Sequence, residues 1–461
     1  MSDVEDTVKG QVDGQTWYAR TRAPAPGRSA LNYDLDVDVC VIGGGLAGLT
    51  AAREIARRGW SVALIEAKEI ASGASGRNGG LVAPGFSERL PRIVERVGLE
   101  RAKALFALSL EGVDYVSRAI RETGMPGVEA VPGWLRVARY EAREAMIAHA
   151  AMLADEFGLE VEVWSAEQVR EQIVTEAYHQ GLYQPGAFHI HPLNYALGLA
   201  ADAEAAGAKI FEQTPALGID PAGVRKRIDT PAARIRAAQI VLAGGAQLGA
   251  AFRYASGTIV PLWGQAAVTA PLGARLPETV RFAGAISEAR RAGNAMRLVG
   301  GERLLWSCGI SMWPPSPGRL ARKMRREIGR VFPQLAGIEI AHAWSGPLAY
   351  AVHAMPQVGE IAPGLWIASA FGGHGLSATA MAGDLIARAI VEGDESWRLF
   401  SSYELVWAGG LFGRIAAQAG YWMARLAEKV AEERAHRRAS SSRRRAEKAA
   451  RLAVEKARKA E

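Results

Sequence analysis

A glycine pattern, Gly43-x-Gly45-x-x-Gly48, stands between the apolar run VDVCVI and the helical pattern LAGLTAAREIARRG. A second apolar run, SVALIEA, follows, so the segment predicts a strand–helix–strand unit. In such a unit the first glycine permits the tight turn, the second lets backbone approach a pyrophosphate, and the third lets the helix pack close to the strand. Glu66 ends the second strand, where a ribose requires a hydrogen-bond acceptor. The pattern predicts an α/β, Rossmann-type domain that binds a dinucleotide.

A second glycine-rich loop, Gly73–Gly80, indicates which dinucleotide to expect. An NAD site has no use for such a loop, whereas the ribityl chain and flat ring of a flavin must lie against exposed backbone. Near the carboxyl end, Phe371–Gly375 ends a strand and opens a helix, whose N-terminus stabilises negative charge on a reduced ring. We therefore expect FAD, with contacts from these two loops at Ser75, Gly76, Arg77, Asn78, Gly79, Gly80, Gly373, His374 and Gly375.

Length and composition bound the remaining choices. At 461 residues the chain is too long for one hydrophobic core and suits two intertwined domains. The two cysteines, Cys40 and Cys308, form no CxxC motif, which argues against a disulfide scaffold or a thiolate zinc site and suits a reducing compartment. The acidic, polar amino terminus does not resemble a signal peptide, and no run of 18 apolar residues occurs. We therefore expect a cytoplasmic protein without a transmembrane segment.

The net charge of +7 is confined to the carboxyl end of the chain. Residues 425–461 hold 13 basic and 6 acidic residues, which leaves the rest of the chain neutral and gives no reason to expect a nucleic-acid partner. Just before this tail, Leu411, Ile415, Ala419, Trp422, Leu426 and Val430 form an apolar stripe at helical spacing. The stripe has three interpretations: it packs on its own body, it contacts a partner or a second copy, or it lies on a membrane surface.

The motifs VCVIGGGLAGL, ASGRNGG, QIVLAGGA, MPQVG and GGHG together resemble the D-amino-acid-oxidase-like FAD-dependent oxidoreductases, most closely the gamma-glutamylputrescine oxidase branch. The resemblance runs from about Trp17 to Asp394 and implies a flavin domain interrupted by a sheet-rich substrate domain. The expected parts are an N-terminal arm (1–36), an FAD-binding domain (37–115, 186–250 and 346–395), a β-sheet-rich substrate domain (116–185 and 251–345), and a helical, basic C-terminal extension (396–461).

This resemblance implies oxidation of a carbon–nitrogen bond. In the family a hydride passes to flavin N5 and the resulting imine hydrolyses, so we expect a primary or secondary amine as substrate. Two alternatives stay open: oxidation of a secondary or D-amino acid, and modification of a tRNA base. Either oxygen or a quinone is the electron acceptor.

Departures from the family pattern refine these expectations. Arg77 occupies the place where some members attach FAD through histidine, and Gly346–Tyr350 lacks the attachment cysteine of sarcosine oxidases, so FAD is expected to bind non-covalently. Ser377 replaces a lysine that binds the substrate carboxylate, which favours an amine unless an arginine such as Arg253 takes over. Further cofactor contacts are expected at Leu46, Ala47, Ala67, Lys68, Gly244, Leu376 and Ser377.

Candidates for catalysis are fewer. Tyr350 and His353, together with Trp263 and Trp344, fall in segments that the family uses to line the pocket, although core packing explains each of them equally well. His189 and His191 stand two residues apart without a Cys, Asp or Glu at ligand spacing, so no metal is expected.

Overall fold

The computed structural model describes residues 15–290 and 293–460, and for residues 250, 436 and 438–460 it describes the main chain alone. Residues 1–14 of the predicted arm and residue 461 lie outside the described residues. Within the described ranges the chain forms two sheets, and each sheet gathers strands from distant parts of the sequence.

The first sheet carries the glycine turn. Numbered in chain order, its strands are β1 (Leu35–Ile42), β2 (Val62–Ile65), β7 (Lys209–Phe211), β8 (Gly218–Asp220), β9 (Lys226–Asp229), β10 (Arg234–Leu242), β16 (Gln357–Ala362) and β17 (Leu365–Ser369). Their order is β16-β17-β10-β1-β2-β7, with β9 also beside β10 and β8 beside β9. The pairs from β17 to β7 are parallel, and Leu35 of β1 lies opposite Ile235 of β10. Because both faces of the sheet are buried at β2, all four residues of this strand are apolar.

The second sheet is almost entirely antiparallel. Its strands are β3 (Leu81–Val82), β4 (Val131–Val137), β5 (Glu162–Trp164), β6 (Gly181–His189), β11 (Val260–Thr269), β12 (Ala285–Glu288), β13 (Asn294–Val299), β14 (Arg303–Ser311) and β15 (Ile340–Tyr350). The order is β15-β11-β14-β13-β12-β4-β6-β3, with β5 beside β6, and only the β12·β4 pair within it is parallel. Along β4, Leu135 and Val137 enter the core of this sheet, so Trp134 and Arg136 face its other side.

Helices cover both sheets. They are α1 (Trp17–Arg20), α2 (Leu46–Arg57), α3 (Leu90–Val97), α4 (Leu99–Thr123), α5 (Arg143–Phe157), α6 (Ala166–Gln172), α7 (Pro192–Ala205), α8 (Arg253–Ser256), α9 (Pro317–Val331), α10 (Leu376–Glu392) and α11 (Gly410–Ala460). Helices α2 and α10 approach so closely that a Cβ at Gly383 would lie 2.8 Å from the Ala47 carbonyl oxygen. This contact joins the helices that follow the two predicted cofactor loops.

One α-helix and two strands cross domain boundaries expected from the sequence. Helix α4 spans residues 115 and 116, β6 spans 185 and 186, and β15 spans 345 and 346. We propose that the two sheets mark the two domains. Each of the three boundaries then moves to the end of the element that crosses it, since a continuous helix or strand belongs to one packing unit.

The described part of the N-terminal arm is fixed to the body. Residues 22–32 form no helix or strand, as the Pro/Gly-rich sequence predicts, but α1 forms just before them. Tyr18 is fully buried, and its hydroxyl donates to the Asn78 carbonyl oxygen at 2.9 Å. Arg28 forms a bidentate pair with Glu204 at 2.8 Å. The arm therefore contacts one of the predicted cofactor loops directly.

The predicted helical extension is confirmed as α11, a helix of 51 residues that follows a short 3₁₀ segment, Ser396–Ser402. Its first half lies along β11 and β14 of the second sheet. Among the described residues, none of the helices, α11 included, combines the length and the apolar character needed to cross a bilayer.

Candidate active site

The glycine turn after β1 has the close contacts that its sequence predicts. Gly43 has φ +115°, a backbone conformation that L side chains rarely adopt. A Cβ at Gly48 would lie 2.1 Å from the Gly43 carbonyl oxygen and 3.2 Å from Val41 Cγ1, so only glycine lets α2 approach β1 this closely. Gly45 is the N-cap of α2 and no side chain caps the helix there. Apart from the Leu46 N–H, which has the Ser75 hydroxyl as its acceptor, the N–H groups of the first turn of α2 are therefore available to an anionic ligand.

Glu66 fixes this turn from the end of β2. Its carboxylate accepts the Gly44 N–H at 2.7 Å and the Lys68 N–H at 2.9 Å. On the other side of the turn, the Ser75 hydroxyl accepts the Leu46 N–H at 3.0 Å. The carboxylate thus lies beside the open helix terminus, where an acceptor for a ribose is required.

A buried arginine supports the loop Gly73–Gly80 from behind. Arg297 of β13 donates to the Gly79 carbonyl oxygen at 2.7 Å, to the Tyr18 hydroxyl at 3.0 Å and to the Ile190 carbonyl oxygen at 3.0 Å. Asn78 also holds the loop, because its side-chain carbonyl accepts the Gly80 N–H at 2.8 Å. The loop is thus fixed by main-chain contacts to both the arm and the second sheet.

These segments enclose an elongated cavity of about 280 Å³, which we call the glycine-lined cavity. Thirteen of the predicted cofactor contacts line it: Gly43, Gly45, Leu46, Ala47, Glu66, Ser75, Asn78, Gly79, Gly80, Gly244, Gly373, Gly375 and Leu376. Phe371 of the second predicted loop lines it too, as do residues that the sequence did not indicate, among them Gly245, Gln247, Ser307, Pro347, Leu348 and Thr379. At its far end, α10 begins at the N-cap Gly375, again without a capping side chain. Two open helix termini and a lining of bare backbone fit a dinucleotide with a flat ring.

Seven predicted contacts do not line this cavity: Gly48, Ala67, Lys68, Gly76, Arg77, His374 and Ser377. Gly48 lies beneath the turn, as its spacing requires. The Arg77 guanidinium turns away and donates to the Ser72 carbonyl oxygen at 3.0 Å, and burial lowers its pKa. The Ser377 hydroxyl, 1% exposed, donates to the Ala83 carbonyl oxygen at 2.6 Å. Ser377 therefore faces backbone, so its identity does not report on the charge of a substrate.

His374 lines a second cavity, whereas its chain neighbours Gly373 and Gly375 line the glycine-lined one. Its Nε2 lies 2.9 Å from the Ala83 carbonyl oxygen and 3.0 Å from that of Pro84, so this nitrogen carries a proton and donates. Burial lowers the pKa of the imidazole, which keeps the ring neutral at physiological pH. The side chain thus holds the segment 83–84 and has no free Nε2 for use as a base.

The second cavity, about 410 Å³, contains an arginine without an acidic partner. Helices α3, α4 and α5 supply apolar walls, and the Arg136 guanidinium lies 5.3 Å from the Trp134 ring. Trp134 is fixed by a hydrogen bond from its Nε1 to Ser287 Oγ at 2.8 Å. The Arg136 guanidinium forms no hydrogen bond or ion pair with any other residue that the structure describes, and burial lowers its pKa. We call this space the Arg136 cavity.

An arginine without an acidic partner in this cavity would be stabilised by a bound anion. An unpaired guanidinium in a largely apolar cavity has a high desolvation cost, which a bound carboxylate would offset. Its charge also contributes, after burial, to the lowered pKa of His149 across the cavity. Gln184, 6% exposed, lines the same space and offers a neutral donor and acceptor. The Arg136 cavity is therefore suited to a ligand that carries an anionic group and an aliphatic part.

Neither predicted catalytic residue lines the glycine-lined cavity or the Arg136 cavity. The Tyr350 ring lies behind the second loop, where its hydroxyl would be 2.9 Å from a Cβ at Gly373. His353 packs against Tyr403, and its pKa falls to about 4, first because of burial and then because of Arg96. We therefore withdraw both as catalytic candidates, since a group outside both cavities cannot reach a substrate bound in them.

The other pocket candidates also have structural roles. Trp263 lies on β11 outside both cavities, and Trp344 donates its Nε1 hydrogen to the Arg77 carbonyl oxygen at 3.0 Å. Arg253, the suggested substitute for the missing lysine, is exposed at the surface. Nothing in the sequence favoured Arg136, because an arginine between leucine and valine in a strand is usually a solvent-exposed side chain.

The histidine pair has protein partners. His189 lies 3.0 Å from the Ala283 carbonyl oxygen and 3.1 Å from Arg297 Nη1, and its pKa falls to about 3 because of burial and this arginine. His191 caps α7 by accepting the Asn194 N–H at 3.1 Å. The residues that the structure describes include no cluster of three or more potential metal ligands.

Comparison with known proteins gives one family. The family model described as FAD dependent oxidoreductase, DAO, matches residues 38–389. The probable oxidoreductase OrdL of Haemophilus influenzae is 29% identical over 392 residues, which cover 83% of this chain and 90% of that protein. Gamma-glutamylputrescine oxidoreductase of Escherichia coli is 28% identical over 394 residues, 82% of this chain and 89% of that protein.

Solved structures agree on the fold. Glycine oxidase from Geobacillus kaustophilus superposes with a TM-score of 0.67 at 21% identity, covering 81% of this chain and 99% of that one. L-proline dehydrogenase from P. horikoshii gives 0.66 at 20% identity, with 81% and 100% coverage. At such identities the likeness extends to the fold alone.

Proposed function

The chain belongs to the FAD-dependent oxidoreductase family DAO, and we propose that it oxidises the carbon–nitrogen bond of an amine that carries a carboxylate at a distance from the reacting carbon. Bound FAD supplies the two-electron acceptor for this reaction. The substrate loses two electrons and two protons to become an imine, which water hydrolyses. FAD is the cofactor of the family, as the sequence predicts.

The glycine-lined cavity is where we propose that FAD binds. Its pyrophosphate would lie at the N-terminus of α2, and Glu66 would accept hydrogen bonds from a ribose. The loops Gly73–Gly80 and Phe371–Gly375 would hold the ring, with Arg297 keeping the first loop in position. The N-termini of α2 and α10 support this assignment, since both helices begin at a glycine N-cap that provides no capping side chain, and in α2 only the Leu46 N–H has a side-chain acceptor, Ser75.

The proposed substrate class rests on the position of Arg136. Its unpaired guanidinium lies in the cavity next to the glycine-lined one, beyond His374, so it suits an anionic group remote from the bond that is oxidised. Trp134 and the apolar walls would exclude water and hold the aliphatic part between the two ends. The expectation of an amine is kept, but the reason changes, because Ser377 faces backbone and the substrate's charge is matched by Arg136 instead.

The relatives are consistent with this chemistry. One is named for gamma-glutamylputrescine, an amine whose carboxylate lies many bonds from the reacting carbon. Neutral His374 fits the same scheme, because its Nε2–H is engaged by two carbonyl groups and adds no positive charge beside the amine. An α-amino acid has its carboxylate next to the reacting carbon, where no described residue of the glycine-lined cavity offers a cation.

An anaerobic substrate screen tests the proposal. The holoenzyme is mixed with butylamine, 4-aminobutyrate, gamma-glutamylputrescine, sarcosine, proline and D-alanine, and loss of the flavin's visible absorbance is followed. We expect an amine with a distal carboxylate to reduce the flavin fastest. Faster reduction by sarcosine, proline or D-alanine would contradict the proposal and favour an amino-acid substrate. Re-oxidation of the reduced enzyme by air or by a soluble quinone then identifies the acceptor.

Acid precipitation should release all the flavin from the protein. Among the described residues, the lining of the glycine-lined cavity includes no histidine or cysteine to which FAD could be attached. Trichloroacetic acid is expected to give a colourless pellet and a yellow supernatant. A pellet that stays fluorescent would show a covalent bond.

Glu66→Ala should purify largely without flavin. The variant loses the acceptor proposed for the ribose and also the contacts to the Gly44 and Lys68 N–H groups, each worth about 1.5–3 kcal/mol as a charge-assisted bond. We expect FAD to bind about a hundredfold more weakly or worse. Glu69→Ala is the matched control, because the Glu69 side chain is 69% exposed and lies 3.9 Å from its nearest cation. Equal flavin content in the two variants would remove Glu66 from the site.

A further inference from the structure

The first half of α11 presents its polar side to the body of the protein. Gln418, 7% exposed, accepts the Met312 N–H at 3.0 Å, and Arg425 pairs with Glu327 at 3.0 Å. Glu432 pairs with two arginines of the body, at 3.2 and 3.6 Å. These positions follow one another at intervals of seven residues, so they lie along one side of the helix. These polar contacts hold α11 in place, and Ala417 adds an apolar contact to Val260 and Leu262.

The side of the helix next to this polar row is apolar and largely exposed. We call it the outer face, and it consists of the exposed residues Phe412, Ile415, Trp422, Leu426 and Val430 and the half-buried Ala419. Phe412 is 80% exposed, Trp422 64% and Leu426 64%. Spacings of three and four residues keep the outer face continuous over about 27 Å. Just before the helix, Trp407 is 72% exposed as well.

This orientation excludes one interpretation of the stripe. A helix that packed only on its own body would bury its apolar side, whereas α11 buries its polar side and leaves the aromatic residues outward. Contiguous apolar surface of this extent marks an interaction site. Packing on the body therefore does not explain the outer face, and an external surface must cover it.

We propose that the outer face lies on an anionic lipid surface. Aromatic and aliphatic residues on one side of a helix, with basic residues at its end, are the features of helices that lie in the membrane interface. Lys429, Arg434 and Arg437 are exposed where the outer face ends, and residues 425–461 have a net charge of +7. Each Lys or Arg near an anionic bilayer adds attraction, so the charge and the apolar face act together.

Charge also decides against a second copy of this chain as the occupant. Two outer faces in parallel contact would bring two segments of +7 together, and in antiparallel contact each basic segment would meet only the neutral body, which offers no compensating charge. An anionic lipid surface neutralises the same charge. The charge of the tail would therefore oppose contact with a second copy and favour contact with an anionic membrane.

Sedimentation of the full-length holoenzyme with lipid vesicles tests the proposal. We expect binding to phosphatidylcholine vesicles that contain a third phosphatidylglycerol, and weak binding to pure phosphatidylcholine. The double variant Phe412→Ser/Trp422→Ser should lose about tenfold or more of the binding while keeping its flavin and its turnover in solution, because neither residue lines a cavity. Leu217→Ser/Val224→Ser is the matched control, since both residues are exposed far along the chain from α11.

Three results would overturn the proposal. The first is equal binding to vesicles of both compositions, and the second is equal binding by the double variant and the control. The third is a dimer, detected by light scattering, that the double variant converts to a monomer while the original protein binds no vesicles. That last result would identify the outer face as a contact between two copies.

Discussion

Gly48→Ala will leave the protein without bound FAD. Alanine inside a helix normally adds about 1 kcal/mol of stability relative to glycine. Here the new Cβ would lie 2.1 Å from the Gly43 carbonyl oxygen, a main-chain atom that no rotamer change can move. Helix α2 must therefore shift away from β1, and its N-terminus moves out of line with the turn and with Glu66. We expect a loss of about 2–3 kcal/mol of folding free energy and a flavin-free protein at micromolar FAD.

Gly420→Ala is the control for this variant. Gly420 also lies inside a helix, α11, and nothing stands within 4 Å of the position that its Cβ would occupy. The control should keep its flavin and gain slightly in thermal stability. Flavin absorbance relative to protein, and thermal unfolding with and without added FAD, measure both effects. A yellow Gly48→Ala protein with an unchanged melting temperature would show that the turn tolerates a side chain.

Arg136→Met should lower the activity of the enzyme without lowering its stability. For an amine with a distal carboxylate we expect kcat/KM to fall about a hundredfold or more, mostly through KM, because losing a buried partner of a charged group costs about 2–5 kcal/mol. For butylamine, which has no carboxylate, kcat/KM should change little. Removing an unpaired cation from an apolar cavity relieves its desolvation cost, so the variant should unfold at the same temperature or higher.

A structural role for Arg136 would give the opposite pattern. The variant would then melt earlier, and all amines would be affected alike. Arg136→Lys tests the geometry, because lysine keeps the charge but loses the planar fork that binds carboxylates at two points. Arg143→Met, at an exposed position of α5, controls for the loss of one positive charge and should behave like the original protein.

Local sequence was sufficient to predict the nucleotide turn. The positions of Gly43 and Gly48 depend on contacts within one strand–helix–strand unit, and the pattern around them contains that whole unit. The place of Glu66 beside this turn followed for the same reason, since it comes directly after the next strand; its contact with a ribose stays a prediction. The identity of the cofactor followed from a second glycine-rich loop, because bare backbone beside a nucleotide turn is itself a chemical signal.

Contacts between distant segments could not be predicted in this way. Arg297 donates a hydrogen bond to the carbonyl oxygen of Gly79, which lies 218 positions earlier in the chain. Nothing in the residues around Arg297 indicates that partner. Arg136 alternates with buried leucine and valine, a pattern that usually means a solvent-exposed side chain. Ser377 was misjudged because the direction of a side chain in the first turn of a helix depends on how that helix packs. Helical spacing likewise found the stripe of α11 but not the side of the helix that meets the body.

The pairing of β1 with β10 also has a consequence for biosynthesis. Leu35 pairs with Ile235, and the two ends of the glycine-lined cavity, at Gly43 and Gly375, lie more than three hundred residues apart in the chain. At about 5–20 residues per second, a ribosome needs roughly 15–65 s to make the intervening segment. For more than half of that time, until β7 and β10 have been made, β1 and β2 each lack a neighbour on one side and expose unpaired apolar edges. The cofactor can be captured only after nearly the whole body has emerged, so the yield of flavin-loaded enzyme should depend on chaperones and on the rate of synthesis.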